Sequence, residues 1–179
     1  QMCIRDRPYR ELVYDGVEVP FIPNIYKDTI VCYSFSKSLS LPGERLGYVL
    51  VPKQVTDADS VYAATAGAGR SQGYVNAPSL FQRVAAECCD LTADIGVYER
   101  NCALLTDGLR EMGYQVVQPG GAFYLFPRSL EPDDMAFSER AKKFDLLLVP
   151  GSGFGAPGHF RIAYCVQTEI CLLYTSPSP

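Results

Sequence analysis

The sequence predicts an α/β fold in its first half and a smaller α+β unit in its second half. Strand-type runs, rich in β-branched and aromatic residues, alternate with segments of helical periodicity up to residue 113, which is the pattern of an α/β unit. Short strand-type runs dominate beyond that point, which is typical of an α+β unit. At 179 residues the chain is long enough to bury a substantial core.

The first half contains two strands followed by a helical region. Residues 29–35 (TIVCYSF) are β-branched and aromatic, which predicts a buried strand. A polar stretch that contains Gly and Pro leads to a second strand over 46–51, which Pro52 ends. We expect a short helix over 55–64 and a loop over the glycine-rich segment 66–78.

The second half begins with a long helical pattern. Apolar residues recur at helical spacing from Pro78 to Leu109, which predicts one long helix or two in tandem, with Gly113 as the C-terminal cap. The remaining elements are short: we expect strands over 115–117, 122–126, 146–149 and 160–166, and a helix near 135–144.

This order of elements predicts two domains. We expect residues 1–85 to belong to the first domain and residues 86–168 to form the small second domain, with the boundary near residues 80–95. The segments 1–7 and 171–179 fit neither pattern, and the second of them shows no cap and no helical periodicity. We therefore expect both to be foreign tails on a chain that is incomplete on both sides.

The composition argues against several classes of function. The net charge is −4 and the basic residues are scattered, so the sequence shows no basic cluster of the kind that binds nucleic acid. No apolar run reaches the roughly 18 residues that a membrane span requires. The seven cysteines include no C-x-x-C pair, which favours reduced thiols over disulfides or a zinc site. We expect a cytoplasmic protein without a nucleic-acid, membrane or metal partner.

Lys37 follows the first predicted strand and has neighbours suited to an anion. Those neighbours are Ser34, Ser36, Ser38, Ser40 and Arg45. Hydroxyl donors and a planar guanidinium together are what a phosphate group requires. A deprotonated lysine amine beside them can react with an aldehyde. Gly43 and Gly47 would let the backbone approach closely or adopt a positive φ.

The pattern S-x-S-K-x-x-x-x-x-G-x-R-x-G, which Ser34–Gly47 satisfies, resembles the pyridoxal-phosphate attachment motif of class I/II (fold-type I) aminotransferases. This resemblance is closest to the aspartate-aminotransferase-like members and runs through residues 6–166, about the C-terminal half of a typical member. It implies that residues 1–85 come from the large pyridoxal-phosphate-binding domain of the α/β fold. It also implies that Lys37 carries pyridoxal 5′-phosphate and moves the substrate proton, and that Ser34, Ser36 and Arg45 bind the cofactor phosphate.

The segment Asp6-Arg7-Pro8-Tyr9 resembles the D-E-P-Y turn of the same family, with Arg7 where Glu is usual. The resemblance implies that the carboxylate of Asp6 pairs with the protonated pyridine nitrogen of the cofactor. A carboxylate there keeps the ring charged, so that it can accept electrons from the substrate carbanion. By the same resemblance, the Tyr9 hydroxyl bonds the ring oxygen.

Two segments of the second half resemble parts of the substrate site. PGGAFYLFP (119–127) resembles the small-domain strand whose Gly121, Ala122 and Phe123 would lie near substrate. VPGSGFGAPGHFRIAY (149–164) resembles the segment that ends in the substrate-carboxylate arginine, which falls on Arg161. An arginine in an apolar strand needs an anion if its head is buried. The glycines of this segment do not form G-x-G-x-x-G at the start of a helix, so a dinucleotide site is rejected.

Arg70 precedes YVNAP, and in acidic-amino-acid transaminases an arginine near such a segment reaches the partner subunit's site. The resemblance thus makes Arg70 a candidate for binding a second substrate carboxylate, while an exposed loop arginine is the simpler interpretation.

The family resemblance implies transamination between an amino acid and a 2-oxo acid, by a homodimer when the protein is intact. The chain as given lacks half of the cofactor pocket, so we expect it to be inactive alone. A C–S lyase or decarboxylase on the same scaffold uses the same cofactor and stays an alternative. A third possibility is the aminotransferase-like sensor domain of a transcription regulator, whose DNA-binding part would lie upstream.

Overall fold

The structure is a computed structural model that describes residues 3–6 and 8–175, without the side chains of 3–6 and 173. The chain divides into two compact units, Gln1–Ala93 and Asp94–Pro179. Within the described residues, no helix is long and apolar enough to cross a membrane.

The first unit is built on a three-stranded sheet. Its strands are β1 (Cys3–Asp6), β2 (Thr29–Ser34) and β3 (Gly47–Leu50), in the order β1-β2-β3. β1 and β2 are parallel, with Asp6 opposite Cys32, whereas β2 and β3 are antiparallel, with Ser34 opposite Gly47. The strands predicted over 29–35 and 46–51 therefore form, each one or two residues shorter. The start of β2 is buried, which explains its β-branched composition.

Three helices complete this unit. They are α1 (Phe35–Ser38), α2 (Ala58–Ser71) and α3 (Ser79–Glu87), and a 3-10 turn spans Ile22–Asn24. The core residues of the unit are Leu12, Tyr14, Ile30, Val31, Leu46, Val55 and Ala85. The expectation of a loop from residue 66 was wrong, because α2 continues through Gly67 and Gly69 to Ser71. Alanine has the highest helix propensity, so the four alanines at 63, 64, 66 and 68 offset the cost of the glycines.

The second unit packs two short helices and one long helix with a three-stranded sheet. The helices are α4 (Ile95–Glu111), α5 (Asp134–Ala141) and α6 (Thr168–Leu173), and the strands are β4 (Tyr124–Leu125), β5 (Val149–Pro150) and β6 (Phe160–Ala163). The sheet order is β4-β6-β5, with both pairs antiparallel. Short 3-10 turns follow α5 (Lys142–Phe144) and β5 (Gly151–Phe154).

The core of the second unit lies between α4, α6 and one face of this sheet. Its most buried apolar residues are Cys102, Leu105, Leu109, Phe123, Leu125, Phe160, Ile162, Tyr164 and Cys171. At its centre the fully buried amide of Asn101 donates hydrogen bonds to the carbonyls of Tyr164 (3.0 Å) and Val166 (2.8 Å). Its Oδ1 accepts one from the Thr168 hydroxyl (2.9 Å). One side chain thus ties α4 to the end of β6 and the start of α6.

The helical pattern over 78–109 forms two helices, α3 and α4, which are interrupted between residues 88 and 94. The strand expected over 115–117 does not form: the carbonyl of Gln115 accepts one hydrogen bond, from the Arg128 N–H (2.9 Å), and Val117 is exposed. A further difference is α6, because no helix was expected there. Its Cys171 is buried against the core, so the helix is stabilised by packing that the local pattern does not show.

Candidate active site

The two parallel strands of the first unit end at one edge of the sheet, and the residues that follow them meet there. β1 ends at Asp6 and β2 at Ser34. Tyr9 follows the first strand, and Lys37 lies in the one-turn helix α1 after the second. The carboxyl edge of a parallel pair is where ligands bind in open α/β sheets.

Lys37 and Tyr9 lie against each other at this edge. The ammonium of Lys37 is 5.8 Å from the centre of the Tyr9 ring, within the range of a cation–π contact. Lys37 is half-buried. Tyr9 and Lys37 are far apart in the sequence, on either side of a long connection, and the fold makes them neighbours at the end of the sheet.

Ser34 and Ser36 form a hydroxyl pair beside the lysine. The Ser34 hydroxyl donates to that of Ser36 (2.9 Å) and accepts a hydrogen bond from the Ser36 N–H (3.3 Å). The Ser34 oxygen caps α1 in this way, so the turn that presents Lys37 is held by the same hydroxyl to which the family resemblance gives a phosphate-binding role. Both serines are half-buried.

Aromatic side chains support this turn from β2 and β3. Tyr33 stacks on Tyr48 with 5.1 Å between ring centres and meets Phe35 edge-on at 5.2 Å. Burial raises the pKa of Tyr33 to about 12, as expected for a phenol packed between aromatic rings.

Gly47 allows β3 to approach β2 at Ser34. A Cβ at this position would lie 2.4 Å from the carbonyl oxygen of Tyr33 and 3.3 Å from the Cα of Ser34. Only glycine fits without a shift of the backbone. At Gly43 a Cβ would meet nothing within 4 Å, so that glycine is not required for close approach.

The structure places Arg45 in an exposed turn between α1 and β3. Its backbone is left-handed (φ 52°), and its Nη1 donates a hydrogen bond to the carbonyl of Pro42 (2.7 Å). Among the described residues, no hydrogen bond joins Arg45 to Ser34 or Ser36. Its assignment to the cofactor phosphate stays a prediction.

Asp6 and Arg70 also belong to the first unit. The backbone of Asp6 pairs with β2 opposite Cys32, but its side chain lies outside the described residues. Arg70 is exposed in the last turn of α2, and not in a loop as the sequence predicts.

Arg161 belongs to the second unit, in the middle of β6. Its Cζ lies 4.5 Å from the ring centre of Tyr124 and 4.5 Å from that of Phe154. The strand alternates, so Phe160 and Ile162 are buried while Arg161 is half-buried on the other face. Sequence reasoning missed both aromatic rings, because they come from a different strand and from a 3-10 turn.

The segment 119–127 contributes Phe123, Leu125 and Pro127 to the core of this unit. Phe123 is buried against Tyr98, with 5.6 Å between ring centres, and Ala122 has a left-handed backbone (φ 62°). The carbonyl of Ala122 accepts a hydrogen bond from the Tyr164 hydroxyl (3.3 Å). The ring of His159 stacks on Phe126 at 5.7 Å, as suits a residue with a packing role.

The comparison with known families identifies the class of protein that this fold and site define. The family model described as "Aminotransferase class I and II" matches residues 2–171. The chain belongs to this family. The pyridoxal-phosphate-type motif at Lys37 and the mixed α/β architecture agree with that membership.

Two curated aminotransferases are similar to this chain over most of its length. The chain is 32% identical to aromatic-amino-acid aminotransferase 2 of Thermococcus litoralis and 30% identical to aspartate aminotransferase of Geobacillus stearothermophilus. In each case 94% of this chain aligns with 45–46% of the relative. The chain thus spans less than half the length of these curated relatives.

Solved structures give the same result. An amino transferase from Eubacterium rectale is 54% identical, with a TM-score of 0.91 over 96% of this chain and 43% of its own. Aspartate aminotransferase from Thermotoga maritima is 26% identical, with a TM-score of 0.82 over 97% of this chain and 46% of its own.

Proposed function

We propose that this chain supplies the cofactor-binding lysine, and the residues around it, to the active site of a pyridoxal-phosphate-dependent aminotransferase. Such an enzyme transfers an amino group from an amino acid to a 2-oxo acid. One observation supports this proposal most directly. At the carboxyl edge of β1 and β2, Lys37 lies beside the Tyr9 ring and next to the hydrogen-bonded hydroxyls of Ser34 and Ser36.

The residues at this edge fit pyridoxal phosphate by their chemistry. A primary amine beside two hydroxyls offers one group for the aldehyde and two for the phosphate. When bound, the cofactor supplies an aldehyde that bonds amines covalently and a ring that withdraws electrons. The Tyr9 hydroxyl is the candidate donor to the ring oxygen, and the Asp6 carboxylate is the candidate partner of the ring nitrogen.

The roles of the chain's own groups follow from their positions. Lys37 Nζ would hold the cofactor in the resting protein and then move the proton from the substrate Cα. Tyr9, in contact with the lysine ammonium, restricts where that amine can lie. Arg161 would bind the substrate α-carboxylate through paired N–H groups and so orient the Cα–H bond.

We further propose a homodimer for the intact protein and a cytoplasmic location, in keeping with the family. The 179 residues alone are predicted to be inactive, because the relatives use more than twice this length.

The proposal can be tested in a chimera, in which this chain replaces the matching 43% of the Eubacterium rectale amino transferase. We expect amino transfer from an amino acid to 2-oxoglutarate, detected by mass spectrometry of the new amino acid, and its loss in Lys37→Ala. Release of pyruvate and ammonia without a new amino acid would contradict transamination and favour a lyase.

The same chimera tests the assignment of Arg70. If this exposed guanidinium binds a second substrate carboxylate, Arg70→Leu lowers turnover of aspartate and spares alanine. Equal losses with both donors would refute that role and leave the transamination proposal intact.

A further inference from the structure

The guanidinium of Arg161 is flanked by aromatic rings where an ion pair would be expected. Both ring centres, of Tyr124 and Phe154, lie 4.5 Å from its Cζ. The ion pairs within the described residues are Arg140–Glu131 and Lys142–Glu139, so none of the described carboxylates neutralises Arg161. A half-buried cation is thus held by π faces, which attract the charge without occupying its N–H groups.

Strand register accounts for the position of Tyr124. β4 pairs with β6 so that Tyr124 lies opposite Ala163 and Leu125 opposite Ile162. Side chains two residues apart on a strand share a face, so Arg161 is the diagonal neighbour of Tyr124. The Phe123 ring contacts that of Tyr124, with 4.8 Å between centres, and is itself buried. The tyrosine ring is therefore supported from the core side.

Phe154 reaches the arginine from the 3-10 turn Gly151–Phe154, which several contacts hold in place. The N–H of Gly151 donates to the carbonyl of His159 (2.7 Å), and a Cβ at Gly151 would lie 2.3 Å from the carbonyl oxygen of Ala156. The Phe154 ring also meets Phe126 edge-on at 6.0 Å. The closed turn and the Phe126 ring therefore place Phe154 beside the arginine, although its side chain is 50% exposed.

Asp134 anchors this turn from the start of α5. Its Oδ2 accepts the Ser152 N–H and its Oδ1 the Ser152 hydroxyl, each at 2.7 Å, and Oδ1 also accepts the Gly158 N–H at 3.3 Å. The residue is buried, with 3% exposure. Hydrogen bonds from the Ser152 backbone and hydroxyl lower its pKa below the ordinary value, so the carboxylate is charged at neutral pH and its bonds are charge-assisted.

We propose that Tyr124 and Phe154 are positioning residues for Arg161, and that Asp134 acts through Phe154 by fixing the turn that carries it. The rings hold the guanidinium in one orientation before substrate arrives, with its N–H groups and its charge available to an α-carboxylate. Arginine loses rotamer freedom when it binds, and a preorganised side chain avoids part of that loss at the binding step. This inference rests on the proposed role of Arg161 and adds the residues that make it effective.

The geometry can be tested in the 179-residue chain without any assay of activity. Aromatic ring currents displace the Nε–H proton resonance of Arg161, which is identified by its loss in Arg161→Lys. Phe154→Leu and Tyr124→Leu should each move it toward the position of the exposed Arg83. Asp134→Asn should move it in the same direction as Phe154→Leu. Phe144→Leu is the matched control, because this phenylalanine is exposed and not in the contact.

Phe154→Tyr keeps a ring at the same place, so it should restore the displaced resonance even where Phe154→Leu lowers stability. An unmoved resonance in both leucine variants would overturn the inference, as would an equal movement in Phe144→Leu.

Kinetics in the chimera separate this inference from the proposed function. Phe154→Leu and Tyr124→Leu should raise KM for both substrates roughly tenfold, equivalent to about 1.4 kcal/mol, and change kcat much less. If Arg161→Lys leaves KM unchanged, the assignment of Arg161 to the carboxylate fails. If Arg161→Lys raises KM but the two leucine variants do not, the positioning role of the rings fails.

Discussion

Substitution of Gly47 by alanine is expected to separate β3 from β2 at Ser34, the residue that caps α1 and so holds the turn that carries Lys37. Gly47 lies opposite Ser34 in the antiparallel ladder. The added Cβ would lie 2.4 Å from the Tyr33 carbonyl oxygen, whereas real Cβ atoms essentially never come within 3.0 Å. That oxygen is backbone in the central strand, so relief requires a shift of the strand itself. Overpacking of this kind costs about 1–3 kcal/mol.

For a unit of this size, a loss of about 2 kcal/mol lowers Tm by roughly 10 °C. Thermal unfolding followed by circular dichroism measures this shift. Gly43→Ala is the matched control, because its Cβ would meet nothing within 4 Å and its backbone is not left-handed, so Tm should stay the same or rise slightly. Equal Tm values for the two alanine variants would refute the argument that Gly47 is required by close backbone approach.

Two further predictions concern the second unit. Asn101→Ala removes two donated hydrogen bonds and one accepted bond in the core, which should lower the free energy of unfolding by about 2–4 kcal/mol in urea titrations. Asp107→Ala, on the exposed side of the same helix, should change it by less than about 0.5 kcal/mol, and a similar loss in both variants would contradict the buried network. The lowered pKa of Asp134 means that its stabilising effect is present above the ordinary aspartate range, near pH 4, and is lost as pH falls further. The Tm difference between the native chain and Asp134→Asn should therefore shrink between pH 6 and pH 3, and a constant difference would show that the carboxylate charge is not involved.

Much of the first unit could be predicted from sequence because its signals are local. β2 combines β-branched residues with burial, and the lysine motif begins where that strand ends. The motif also placed serine hydroxyls around Lys37. In the structure those of Ser34 and Ser36 are hydrogen-bonded to each other, and their role at the cofactor phosphate stays a prediction. The extent of α2 was wrong because Gly67 and Gly69 resemble loop residues, while helix propensity depends on the whole segment.

The features of the second unit that were missed depend on contacts between distant segments. α6 has Cys171 buried in the core and Thr168 bonded to Asn101, 67 residues away. The rings beside Arg161 come from β4 and from the turn after β5, and the hydrogen bond that ties this turn to Asp134 spans 18 residues. The family resemblance points to the arginine, but a sequence pattern contains no information about which rings face it.

The most direct test of the central claim is to identify the lysine that carries the cofactor. The chimera is incubated with pyridoxal phosphate, reduced with borohydride and digested, and the pyridoxyl mass is located by mass spectrometry. We predict the label on Lys37, its loss in Lys37→Ala, and its retention in Lys53→Ala, which removes an exposed lysine of the same unit. Undiminished labelling of the Lys37→Ala chimera would contradict the account.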